Sequence, residues 1–317
     1  MNTETAKSVN TADTNNQRLN PKAIATAMDK VLASAEQVIL GKNQQLRLAL
    51  ACMMAKGHLL IEDQPGMGKT TLAHLLARVM GLDFRRVQFT SDLLPSDILG
   101  ASIYDKDNGK FTFHPGPIFA QLVLADEVNR ATPKCQSALL EAMEEQQVTV
   151  EGNTYDLPKP FFVIATQNPL HQIGTFPLPE SQLDRFLTSI SLGYPDMDAE
   201  LNLRGEYGEA AKQDPVAILD KDSVAALRDA CEEVHLHADL ARYIVTLARA
   251  TREDQNIKLG ISPRGSMHLA TACKGYALVK GRQQVIAEDI QKLIPTVWNH
   301  RLLPRHERGN DKIGRAA

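Results

Sequence analysis

The chain opens on a polar stretch and then settles into alternating apolar blocks. Residues 1–20 (MNTETAKSVNTADTNNQRLN) lack the apolar central run of a secretory leader and are expected to form a disordered tail. From residue 44 a helical pattern runs through Leu46, Leu48, Leu50 and Met53 and stops at Gly57. His58–Glu62 (HLLIE) is a short apolar run entering a Gly-rich loop, and Thr71–Met80 again reads as helix, ending at Gly81. Strand, loop and helix in this order form the unit from which parallel sheets are built. Four further strands are predicted at Arg85–Phe89, Gln121–Asp126, Phe161–Thr166 and Leu187–Leu192. The last two are nearly continuous apolar runs, the pattern of strands covered on both faces.

Between the strands at Gln121–Asp126 and Phe161–Thr166, Thr132-Pro133 predicts a helix start, with Thr132 as cap and Pro133 at the first helical position. That helix carries Cys135, Ala138, Leu139, Ala142 and Met143 on one face. Gln147–Val150 alternates and meets Tyr155–Leu157 across Glu151-Gly152-Asn153-Thr154, a predicted β-hairpin. Beyond Gly193-Tyr194-Pro195-Asp196 the strand signal disappears and helices are expected over 238–252, 263–280 and 287–301, the middle one opened by Ser262-Pro263. The pattern divides the chain into a tail (1–20), an α/β domain (21–194) and a helical domain (195–317) whose residues 302–317 are polar and basic.

Composition narrows the class. Of 317 residues 43% are hydrophobic and 23% charged, ordinary for a globular protein, and a formal charge of −3 gives no basic field for a nucleic acid backbone. The longest apolar stretch, Leu48–Ala55, is far short of the ~20 residues that span a bilayer. Cys52, Cys135, Cys231 and Cys273 are scattered singly, without zinc or redox spacing, which fits a reducing cytoplasm. His235 and His237 alternate with no third ligand near, so a packing or solvated role is expected, and Trp298, the sole tryptophan, reads as core of the helical domain.

The candidate chemistry gathers at strand ends. In Asp63-Gln64-Pro65-Gly66-Met67-Gly68-Lys69-Thr70, the two glycines permit consecutive backbone N–H groups to face one phosphate. The following helix presents its positive end there. Lys69 would neutralise β/γ-phosphate charge and the Thr70 hydroxyl would ligate Mg²⁺. The loop departs from the P-loop pattern at its first glycine position, held by Asp63. Leu122–Glu127 (LVLADE) is an apolar strand ending in two carboxylates. Asp126 could hold magnesium through water, and Glu127 could polarise the attacking water as general base. Phe162–Thr166 ends in Gln167-Asn168-Pro169, where an amide could orient the lytic water, or the pair could simply make a turn.

Taken together these stretches resemble an AAA+ ATPase, and Leu124–Ala131 (LADEVNRA) followed by Gln136–Glu145 (QSALLEAMEE) is similar to the MoxR family of the helix-2-insert clade. Further matching stretches are Phe89–Ile98, Gly116–Phe119, Leu178–Phe186 and Gly260–Arg264, within a resemblance running from Val38-Ile39-Leu40-Gly41 to His300-Arg301. It implies a five-stranded parallel sheet of order 5-1-4-3-2 followed by a helical lid, with ATP between sheet and lid. Gly41 and residues 63–71, Thr71 included, would hold the nucleotide. Asn168 would be sensor 1. Arg185 would be an arginine finger reaching a neighbour's site, and Arg264 a sensor 2 on the γ-phosphate of its own subunit. Ile103–Phe113 would be the helix-2 insert, and it and the 147–157 hairpin would face a central pore. The resemblance further implies a hexameric ring acting as a chaperone that assembles, activates or inserts metal into a client, partnered by a von Willebrand factor type A protein. The alternatives are a DNA-remodelling motor, a magnesium-chelatase-like subunit and a nucleotide-binding module that does not hydrolyse. With aromatics at 5% and no basic stripe, the DNA reading ranks below the chaperone one.

Overall fold

The computed structural model describes residues 20–107, 109–169, 174–195, 197, 200 and 216–305. Residues 1–19 of the expected tail 1–20, most of 196–215 at the start of the expected helical domain and the basic residues after 305 lie outside them.

Five strands form one parallel sheet: β1 (Leu59–Glu62), β2 (Phe84–Gln88), β5 (Leu122–Asp126), β8 (Phe162–Gln167) and β9 (Thr188–Ile190), in the spatial order β2-β5-β8-β1-β9. Numbering only these five strands and starting from β9, the order is 5-1-4-3-2, as the family resemblance implied. Side-chain alternation divides them between two cores. Leu59, Ile61, Leu122, Leu124, Phe162 and Ile164 face one. Leu60, Val123, Ala125, Val163 and Ala165 face the other. Both faces are covered, which is why the strands read as unbroken apolar runs rather than alternating ones.

The first face is covered by α1 (Pro21–Glu36), α2 (Asn43–Met54) and α3 (Lys69–Val79), the second by α4 (Pro95–Leu99) and α5 (Pro133–Glu145). Two hairpins project from the second side: β3 (Gly100–Asp105) with β4 (Lys110–Pro115), and β6 (Gln147–Val150) with β7 (Asn153–Asp156). The sequence reading did not propose α1, although Ile24, Met28, Val31, Leu32 and Ala35 repeat at helical spacing and Asn20-Pro21 caps them. Thr132 occupies the cap position of α5 as expected, but its side chain makes no capping hydrogen bond.

The helical unit comprises α7 (Lys221–Glu232), α8 (Ala238–Glu253), α9 (Pro263–Val279) and α10 (Ala287–Trp298), after the short α6 (Glu180–Leu183), with a small ladder between β10 (Ile257–Leu259) and β11 (Leu303–Pro304). Helix α7 was not anticipated; Asp220 caps it by accepting from the Ser223 N–H, and Val224, Leu227 and Cys231 form its buried stripe. Ser262 caps α9 through the Gly265 N–H, and Trp298 is buried, its indole N–H donating to the Gly265 carbonyl. This unit docks on α2. A Cβ added at Gly275 would lie 2.2 Å from the Ala51 carbonyl oxygen, so glycine there sets how closely α9 approaches α2. Buried Arg228 donates to the carbonyls of Met53 (2.9 Å) and Phe161 (3.1 Å), tying α7 to the sheet domain. All four cysteines are buried free thiols. No helix among the described residues is long and apolar enough to cross a membrane.

Candidate nucleotide site and arginine cluster

Because the sheet is parallel, β1, β5 and β8 leave it along one edge, with Glu62 beside Gln167 and Ala125 beside Ala165. The candidate residues of three separate sequence stretches therefore meet there. Gly66 and Gly68 have φ of 86° and 82°, the left-handed region that glycine enters without strain, and a Cβ at either would meet nothing within 4 Å. The loop is thus an open cradle of backbone leading into α3. Lys69 is buried, and its ammonium donates to the carbonyls of Asp63 (2.6 Å) and Gln64 (3.2 Å), bracing the loop from within. Burial draws its pKa below the usual lysine value, opposed by the carboxylates of Asp63, Asp126 and Glu127. Thr70 follows in the first turn of α3, and Thr71 after it.

Asp63 does not behave as a ligand-facing loop residue. Its carboxylate accepts from the N–H of Leu192 (2.5 Å), the N–H of Gly193 (3.3 Å) and the Ser191 hydroxyl (2.7 Å), so it stitches the exit of β1 to that of β9. Its φ is not positive, so the backbone there does not demand the glycine of the P-loop pattern. Tyr194 then donates to the Gln64 side chain (3.3 Å) and accepts from Lys42 through its carbonyl (2.7 Å). This brings the Gly41 turn, where φ is 71°, to the same flank of the loop.

Asp126 is buried at the end of β5. It accepts from the Thr166 hydroxyl at 2.6 Å and from the Arg86 guanidinium at 2.6 and 3.2 Å. An ionised carboxylate has about four acceptor positions, so one remains for a further donor such as metal-bound water. Hydroxyl and carboxylate oxygens are the hard donors that Mg²⁺ takes, and Thr70 with Asp126 fits that ion. Glu127 has φ 59°, uncommon for a non-glycine residue, which swings it out of line with the strand. Its carboxylate accepts from Gln88 (3.1 Å) and Arg130 (3.0 Å), and its N–H donates to the Thr166 hydroxyl (2.9 Å). Asn168 is buried just past β8, and its carbonyl accepts from the Asn129 amide at 3.1 Å. Arg86, Gln88 and Thr166 escaped the sequence reading as site residues. For Gln88 and Thr166 the signal was positional, each lying at or near the carboxyl end of a predicted strand, whereas Arg86 sits early in its predicted strand and gave none.

The two arginines lie elsewhere. Arg185 pairs through Nε with the Glu144 carboxylate at 3.2 Å, and Arg264 pairs with the other oxygen of the same carboxylate. Around them is a cavity of about 260 Å³ lined by Gly57, His58, Leu187 and His268 among others. Gly57 and His58 precede β1 and Leu187 precedes β9, so this cluster sits at the amino edge of the sheet. The phosphate loop begins one strand length away, ~16 Å at 3.3 Å per residue. Arg264, expected on the phosphates of its own subunit, has its guanidinium held by Glu144 beside Arg185. His58 is buried there, its Nδ1 accepting the Val163 N–H (3.0 Å) and its Nε2 donating to the Met143 carbonyl (3.1 Å). Burial lowers its pKa to about 4.

A parallel sheet of this order, a phosphate loop on β1 and paired carboxylates on β5 define a P-loop ATPase of the AAA type. Known proteins agree. Residues 58–188 match the model of the ATPase family associated with various cellular activities (AAA), and residues 249–315 match the AAA lid domain. The chain is 38% identical to the chaperone MoxR1 of Mycobacterium tuberculosis, over 90% of this chain and 78% of that protein. It is 45% identical to the YeaC protein of Bacillus subtilis over 87% of each. A crystal structure of a candidate ATPase from Cytophaga hutchinsonii superposes with a TM-score of 0.83 at 37% identity, covering 90% of both chains. The chain belongs to the MoxR family of AAA+ ATPases, and it is an ATP hydrolase.

Proposed function

We propose that the chain hydrolyses ATP with magnesium as a ring of identical subunits, hexameric as in its wider family, and uses the cycle as a chaperone on a client protein. One observation carries the ring: the arginines converge at the amino edge of the sheet while the phosphate loop opens at the carboxyl edge. A subunit thus cannot bring its own Arg185 to its own phosphates, but a neighbour can. Arg264, held on the same carboxylate, then serves that neighbour too.

Within one subunit the loop N–H groups and Lys69 bind the phosphates, and Thr70 and Asp126 would hold the magnesium, which when bound neutralises phosphate charge. Glu127 takes the proton of the attacking water, and Asn168 orients that water. A von Willebrand factor type A protein is the partner we expect, and the cytoplasm the compartment.

The chaperone reading is supported by the hairpins. Ile103, Tyr104 and Phe111 on the first are more than half exposed, and Phe113 stacks on Tyr155 of the second at 4.0 Å. The two hairpins together present an apolar surface outside the phosphate site, suited to engaging a protein. The similarity to a relative named as a chaperone, MoxR1, and the absence of a basic stripe favour this over the DNA-motor reading.

Glu127→Gln tests the assignment. It should bind ATP with affinity near wild type, run as a ring in ATP by light scattering, and turn over about 10²–10⁴-fold more slowly. Turnover near wild type would place the base elsewhere, and a monomer in ATP would remove the ring.

A further inference from the structure

We propose that Glu144 is the positioning residue that gathers Arg185 and Arg264 into one two-pronged unit for presentation to a neighbouring subunit; this rests on the function proposed above.

The two arginines come from different parts of the chain. Arg185 lies between α6 and β9, whereas Arg264 is the second residue of α9 in the lid. Their backbones are stitched together independently of Glu144. Buried Arg301 donates through Nε to the Asp184 carboxylate (2.7 Å) and through Nη2 to the Asp184 (3.1 Å) and Phe186 (2.5 Å) carbonyls. Ser262, the cap of α9, donates to the Asp184 carboxylate at 3.1 Å. This places the roots of both side chains side by side but leaves their tips free, and two guanidinium groups brought to one place repel each other. Glu144 supplies the missing charge, with one carboxylate oxygen on each arginine. The bond to Arg264, with the charges of Arg264 and Arg185, holds its pKa below the usual carboxylate value.

Glu144 is itself firmly based. It lies in the last turn of α5, where the preceding Met143 carbonyl is bonded to His58, which is bonded in turn to β8. The cluster is also reachable, since the side chains of Arg185, Glu144 and Arg264 are 31%, 35% and 43% exposed. A guanidinium has five donors, so each arginine keeps most of its N–H groups for a phosphate while one or two rest on Glu144.

Glu144→Gln keeps the shape and loses the charge. Its kcat should fall about 10²-fold, the scale of misplacing a catalytic group by about 1 Å, with KM for ATP unchanged and no further loss when combined with Arg185→Ala. Mixed rings give the discriminating readout. Glu144→Gln mixed with Lys69→Ala should regain activity, because an intact phosphate loop then meets an intact donor. Glu144→Gln mixed with Arg185→Ala should regain none, because both defects lie in the donor. Glu144→Asp should restore part of the activity. If Lys69→Ala and Arg185→Ala complement each other but Glu144→Gln does not complement Lys69→Ala, the Glu144 proposal fails while the ring stands. If Lys69→Ala and Arg185→Ala do not complement, the composite site fails first. Faster turnover in Glu144→Gln would overturn positioning in favour of restraint, and failure of both Glu144 variants to assemble would overturn it in favour of packing.

Discussion

Replacing Asp63 by glycine would bring the loop closer to the P-loop pattern, and the structure says it should make the protein less stable. The Asp63 carboxylate is buried and receives three donors from residues 191–193. Leu192 is 2% exposed, so its N–H would be left without a partner and without water, a cost of about 1–3 kcal/mol. Ser191 and Gly193 are more open, and losing those bonds costs ~0.5 kcal/mol each once water replaces the carboxylate. Added glycine entropy contributes ~0.5–1 kcal/mol. Together these come to about 2.5–5 kcal/mol, or a fall in Tm of roughly 5–20 °C for a domain of this size. Ser191→Ala removes one donor and orphans none, so it should cost only ~0.5 kcal/mol. Thermal and urea unfolding without nucleotide would measure both, since ligand binding would mask the difference. A glycine variant as stable as wild type would refute the claim that Asp63 holds β9 against β1.

Gly275→Ala should destabilise despite its better helix propensity. The new Cβ would meet the Ala51 carbonyl at 2.2 Å, and overpacking of about 1–3 kcal/mol outweighs the ~1 kcal/mol of propensity; a raised urea midpoint would contradict this. Stability should also fall as pH drops from 6.5 towards 4. His58 is held near 4 in the fold and titrates near 6.5 when unfolded, so the unfolded chain binds its proton first and the folded state loses ground through that window. Burial also lowers the pKa of His268, to about 4, and of His300, so His58→Gln should be less stable at pH 7.5 yet lose only somewhat less between pH 7.5 and 5; an equal loss would show that His58 contributes nothing to the acid sensitivity.

What the sequence revealed depended on range. The strands were legible because burial on both faces writes itself into consecutive residues, and the carboxylate pair Asp126-Glu127 was legible because it ends one such run. The loop was legible from Gly66, Gly68 and Lys69 alone. Asp63 could be seen as a departure but not explained, since its partners lie about 130 residues away. The same holds for Arg86, whose tie to Asp126 depends on strands β2 and β5 being neighbours. Glu144 gave no local signal at all: it is one of several acidic residues on α5, and only the fold shows that it sits under two arginines. For Arg264 the family pattern names a helix position, whereas the edge of the sheet it faces depends on how α9 docks against α2. Helix α1 was missed for a different reason, its apolar spacing being present but overlooked beside the polar tail.

The central claim is that each ATP site is built from two subunits, and mixing two inactive variants tests it most directly. Lys69→Ala disables a subunit's own phosphate loop, and Arg185→Ala disables what it offers its neighbour. An arginine in that role is worth ~10³–10⁵ in rate, so each variant alone should be nearly inactive. In rings shown by light scattering and tag exchange to contain both, some interfaces pair an intact Lys69 with an intact Arg185, and ATP turnover should return to a measurable fraction of wild type. Mixed rings that form but hydrolyse no more ATP than either variant alone would contradict the account.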